Sequence, residues 1–189
     1  MSTYLYRATR FLASLIALLL FSNILFAQSG RTKQEKGYFN ITEIGAFFGT
    51  SNLKASSISD SSPVNVRSLR TINGLFINPK LSLGIGIGLD GVDTKYYGFH
   101  NTFNVSADVR YYLKTAHDGF FLYGNVGPSL KIDDNFEEGL MANIGIGHKL
   151  TIGSSFVIVP SIGYYHQDYK KGNVNFNNET VAFKLGFLF

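Results

Sequence analysis

The chain has 189 residues, a formal net charge of +4, 16% charged residues, 15% aromatics, 20 glycines and no cysteine. An average soluble domain carries roughly 25% charged residues, so little of this chain is built to face water. The absence of cysteine excludes a disulfide framework and a thiolate metal site. No Lys/Arg cluster interleaves with aromatics as a nucleic-acid groove requires, so no nucleic-acid partner is expected.

Residues 1–27 have the layout of a secretory signal peptide. Arg7 and Arg10 form the basic start, residues 11–21 an apolar run continued by Ile24, Leu25 and Phe26, and a cut is expected after Ala27. The run is short for a helical span of ~20 residues. Its removal takes away two arginines and no acid, so the charge falls to +2. Residues 28–36 read as a short polar segment, and 37–189 as one β-domain.

From Gly37 onward the chain alternates by two, the period of a strand. Residues 37–49 and 66–78 form two less regular strands. The clearest case is 81–91, with Leu81, Leu83, Ile85, Ile87 and Leu89 on one face and Ser82, Gly84, Gly86, Gly88 and Asp90 on the other. Residues 102–113 set Phe103, Val105, Val109 and Tyr111 against Asn104, Ser106, Asp108, Arg110 and Tyr112. Strands 119–131, 140–150, 155–167 and 179–189 repeat the pattern. Pro128 and Pro160 fall inside strands, and proline cannot donate to a ladder, so a bulge or a strand end is expected at each.

Eight such strands predict an all-β, eight-stranded antiparallel up-and-down transmembrane β-barrel. About 9–11 residues per strand suffice to cross a bilayer at a tilt, and only closed barrels and helices satisfy their backbones in lipid. The connections run long, short, long, short, middling, short, long, with long loops at 50–65, 90–102 and 167–178. That asymmetry suits extracellular loops opposite short periplasmic turns, with both termini periplasmic. An eight-stranded interior is just wide enough for side chains to fill, which argues against an open channel. By parity Glu43, Arg70, Asp108, Arg110, Lys131, Lys149 and Lys184 face that interior, where a carboxylate–cation network is expected. Aromatics near strand ends (Tyr96, Tyr97, Phe99, Tyr111, Phe120, Tyr164, Phe187, Phe189) suit girdles at the headgroups.

The signal peptide, the strands, the loop asymmetry and the closing stretch Val181–Phe189 together resemble the small eight-stranded outer-membrane β-barrel family, OmpA/OmpX-like in architecture. That resemblance implies a C-terminal assembly signal at Phe183, Leu185, Phe187 and Phe189, read by the barrel-assembly machinery. It also implies outer-membrane lipid and lipopolysaccharide as surroundings. With the chain stopping at Phe189, no periplasmic peptidoglycan-binding domain is expected after the barrel. An unidentified extracellular partner is expected at the loops, through Tyr96, Tyr97 and Phe99, since loops on a rigid scaffold carry function.

Enzymatic and cofactor motifs find little support. The glycines of 84–91 lack the following helix of a nucleotide loop. The four histidines have no metal-ligand spacing. Ser161 and His166 have opposite parity, against a nucleophile–base pair. No cofactor, metal or catalytic residue is expected. The alternatives are a soluble lipocalin-like barrel binding an apolar ligand, with its large apolar faces inward, and, less favoured, an outer-membrane lipid-modifying enzyme or a small pore.

Overall fold

The computed structural model describes residues 37–55, 58–95, 98–114, 118–132, 139–152, 156–171 and 174–188; for 53–55, 58, 59, 131, 156 and 171 it describes the backbone alone. The expectations for residues 1–36, Tyr96, Tyr97 and Phe189 lie outside these residues.

Eight strands follow one another: β1 (Gly37–Ala55), β2 (Ile58–Asn78), β3 (Leu81–Thr94), β4 (Gly98–Tyr112), β5 (Gly119–Lys131), β6 (Gly139–Ile152), β7 (Phe156–Lys171) and β8 (Val174–Leu188). Each pairs antiparallel with its sequence neighbours, and β1 pairs with β8 from Ile41↔Leu188 to Lys54↔Asn175, closing the barrel. Closure leaves the ladder without an edge. One end carries Gly37, Leu188 and the connections β2–β3, β4–β5 and β6–β7. The other carries the four hairpin connections β1–β2, β3–β4, β5–β6 and β7–β8.

The alternation holds as read. Leu83, Ile85, Ile87 and Leu89 are exposed, while Ser82 and Asp90 are fully buried. Val109, Tyr111, Phe120, Leu122, Ile144, Ile146, Phe183 and Leu185 are also exposed.

Three expectations change. The segments 50–65, 90–102 and 167–178 are not long loops. The β1–β2 ladder runs on to Ala55↔Ile58, β3–β4 to Thr94↔Gly98 and β7–β8 to Lys171↔Val174. The end-to-end asymmetry therefore lies in strand length, with strands of up to 21 residues. At Pro128 and Pro160 there is neither a bulge nor a strand end. The β4–β5 ladder skips from Asn104↔Ser129 to Ala107↔Val126, and β6–β7 from Gly147↔Ser161 to Leu150↔Ile158, both without a shift in register. Each proline lacks one donor, and the opposite ladder carries the strand through. The inner face is also not uniformly small and polar. Phe39, Ile41, Ile72, Phe76, Tyr112, Phe121, Tyr123, Val157, Val159 and Leu188 form an apolar layer near the terminal end. Phe47, Val64, Val66, Val92, Met141, Tyr165 and Ala182 form a second layer toward the hairpins.

Candidate functional site: a charged layer inside the barrel

The two apolar layers enclose a group of buried charges. Arg110, on β4, is its hub. Its Nη2 donates to Glu43 Oε1 of β1 at 2.8 Å, and its Nε donates to Asp108 Oδ1 at 3.0 Å. Arg110 and Asp108 stand two apart on one strand and so share a face. Lys184 of β8 brings Nζ to 3.4 Å from Glu43 Oε2 and to 3.8 Å from the centroid of the Tyr123 ring. Asn125 of β5 joins the two halves, donating to Asp108 and accepting from Arg70 Nη1 at 3.4 Å.

Asp90 of β3 is the second acidic centre. It accepts from Ser68 Oγ at 2.6 Å, Asn104 Nδ2 at 2.6 Å and the Tyr165 hydroxyl at 2.8 Å. Arg70 Nη2 lies 4.0 Å away. Glu43, Asp90 and Asp108 thus face Arg70, Arg110 and Lys184, three carboxylates against three cations. All six side chains are at most 4% exposed. Charges so far from water need partners on every side, and those partners here come from seven of the eight strands.

The glycines on the small face make room for these groups. Gly88 lies opposite Arg70 in the β2–β3 ladder, and a Cβ there would sit 3.1 Å from Arg70 Nε. A Cβ on Gly163 would clash with the Tyr123 hydroxyl.

Of the expected interior charges, Glu43, Arg70, Asp108, Arg110 and Lys184 meet in this layer. Lys149 is buried but lies toward the terminal end, its Nζ 6.0 Å from the Tyr112 ring centroid. Lys131 ends β5 opposite Thr102, and its side chain lies outside the described set. Parity puts Asp90 on the inner face, but does not join it to the other charges. Its Tyr165 partner is 75 residues away, and alternation along one strand carries no such information.

Phe183 and Leu185 are exposed on the outside of β8, and Phe187 is half-buried. Phe99, 60% exposed, stands on the outside of β4 near the β3–β4 hairpin. His100 lies inside β4 rather than in a connection, fully buried, with its ring 5.3 Å from Tyr169. His148 stacks edge-on against Phe120 on the outside. His166 faces outward beside Asp168, at 3.2 Å, whereas Ser161 has the inward parity of Lys184, its ladder partner. No group of three metal-ligating side chains occurs among the described residues.

The outward face explains the inside. Large apolar side chains face out in rows while charges sit within, the reverse of the lipocalin-like arrangement. This is the construction of a barrel that crosses a membrane with strands.

No family model and no curated protein matches the chain. Among solved structures, the outer membrane protein AlkL in DMPC lipid bilayers is similar at a TM-score of 0.52 and 12% identity, over 86% of this chain and 93% of AlkL. The outer membrane protein OprG from Pseudomonas aeruginosa gives 0.48 and 12%, over 81% and 96%. Neisserial surface protein A gives 0.49 and 13%, over 80% and 97%. The chain has the fold of small eight-stranded bacterial outer-membrane β-barrels.

Proposed function

We propose that the chain is an integral protein of a bacterial outer membrane, with a closed barrel that serves as a rigid mount for its hairpin end. The observation that carries this reading is the inverted barrel. Its outer rows are apolar, and its charged layer is sealed between two apolar layers. A lumen so filled supports a structural role rather than conduction. The function then lies at the hairpins, which extend past the apolar rows and present polar side chains with Phe99 among them. The best-supported role is surface interaction of an adhesion-like kind, without catalysis. Lipopolysaccharide and outer-membrane lipid are the surroundings, and the barrel-assembly machinery is the expected folding partner.

Because the chain has no cysteine, single replacements report location cleanly. Asp93→Cys, at the hairpin end, should react with a membrane-impermeant maleimide on intact cells. Lys80→Cys, at the terminal end, should react only after permeabilisation. The protein should also fractionate with outer membranes and migrate faster unboiled than boiled. Recovery as a soluble protein without detergent would sink the reading, and reaction of Lys80→Cys alone on intact cells would invert it.

A further inference from the structure

One region of the outer surface breaks the apolar pattern. Along β2 the outward side chains run Ile77, Leu75, Asn73, Thr71, Leu69; along β1 they run Tyr38, Asn40, Thr42, Ile44. The ladder sets Asn40 opposite Asn73 and Thr42 opposite Thr71, so four polar residues form a square. The square lies among the apolar rows: Asn73 pairs with Ile85, the central member of the row Leu81 to Leu89 on β3, and Thr71 with Ile87.

The square is partly self-satisfied. Asn40 Nδ2 donates to Asn73 Oδ1 at 2.9 Å and to Thr71 Oγ1 at 3.1 Å, and the Tyr38 hydroxyl also donates to Asn73. These bonds fix the Asn73 amide with its oxygen used. Its own NH2 donates to no group among the described residues, and the Thr42 and Thr71 hydroxyls likewise have no recipient there. Asn40 itself is 3% exposed, whereas Thr42, Thr71 and Asn73 are accessible. Hydrocarbon offers such donors nothing, and polar groups left unpaired in lipid are costly.

We propose that this face of β1 and β2 is a contact between two copies of the chain lying side by side in the membrane, an inference that rests on the membrane reading above. A second copy fits because the square is its own complement. Amides and hydroxyls both donate and accept, and a two-fold axis brings the same patch to each partner. The free NH2 of Asn73 on one copy meets threonine hydroxyl oxygens of the other. The apolar frame of Leu69, Leu75, Ile85 and Ile87 closes around the bonds and keeps them from lipid.

The test uses the full chain in isolated outer membranes, treated with a short bifunctional maleimide. Thr71→Cys and Thr42→Cys, on two different strands, are made separately. Ile144→Cys, fully lipid-facing on the opposite wall at 67% exposure, is the control. The expected result is a product of twice the chain mass from at least one patch variant and not from the control. Adding Asn73→Leu to that variant should lower the cross-linked fraction about tenfold. Only monomer from patch variants that keep the fast unboiled band overturns the dimer and leaves the barrel standing. Equal product from Ile144→Cys, meaning random collision, overturns it too, as does cross-linking to a different protein. A wild-type chain absent from the membrane fraction removes the membrane reading and the dimer together.

Discussion

At the level of the charged layer, β2 turns Arg70 inward and Leu69 outward; nearer the hairpin it turns Val64 and Val66 inward and Asn65 and Arg67 outward. The same inversion occurs on β3, where Asp90 inside and Leu89 outside give way to Val92 inside and Asp93 outside. On β8, Lys184 inside with Phe183 and Leu185 outside gives way to Phe176 inside with Asn175 and Asn177 outside. One ladder thus follows two solvents in turn. Where lipid is outside, apolar residues face out and charge can be housed within. Where water is outside, the hairpins follow the ordinary rule of a soluble fold, with an apolar interior and a polar exterior. On these three strands the crossover marks the edge of the proposed membrane span, more directly than any aromatic girdle does.

The largest test of this contrast is in the charged layer. Arg110→Ala leaves Glu43 and Asp108 buried without their main cation. It should cost about 3–5 kcal/mol, read as a lower denaturant midpoint for loss of the fast-migrating form. Next comes the same change placed outside in the two regions. Ile85→Arg, at the middle of the outward apolar row, should cost about 2–4 kcal/mol. Asn65→Arg, past the crossover and opposite Asp93, should stay within about 0.5 kcal/mol. Equal costs would erase the distinction between the regions. Val66→Ala, inside the hairpin half, removes packing of the ordinary kind and should cost about 1.5 kcal/mol, two buried methylenes' worth.

The smallest effect is expected at Asp118, in the β4–β5 connection outside the span. Its Oδ1 accepts the Thr151 N–H at 2.7 Å, and that bond holds the carboxyl below the usual aspartate range. Its contribution is full above the ordinary aspartate pKa and is lost as pH falls through the lowered folded value. Asp118→Asn should therefore remove a slight acid-side loss of stability seen in the wild type, measured by comparing midpoints at neutral and acid pH.

Much of this was legible from alternation alone. It told in from out on every strand from Leu81 onward, because lipid and lumen impose opposite demands at every second residue. It was weakest where the usual contrast is lost. Around Phe39 and Ile41 the inner layer is apolar while the outward neighbours Asn40 and Thr42 are polar, so the contrast reverses. In 50–65 the outward residues are polar because they meet water, and inward Ser51 and Ser62 are small, so strand residues look like loop. The members of the charged layer could be named by parity, apart from Asp90, but their partners could not. Arg110 reaches Glu43 across 67 residues of sequence, and only closure of the barrel brings them together.

The long β1–β2 ladder also sets a height. Strands of 19 and 21 residues, rising ~3.3 Å per residue and tilted by ~40°, climb roughly 50 Å along the barrel axis. The lipid-facing band of such barrels is only about 25 Å tall. Close to half of the ladder therefore stands as a mast above the bilayer, lifting its tip clear of the headgroups. Trimming that mast by pairs of facing residues would lower the tip in steps of about 5 Å per two-residue cut on each strand. Each cut would leave the membrane-crossing part untouched. Whatever the tip touches could then be located by its distance from the membrane.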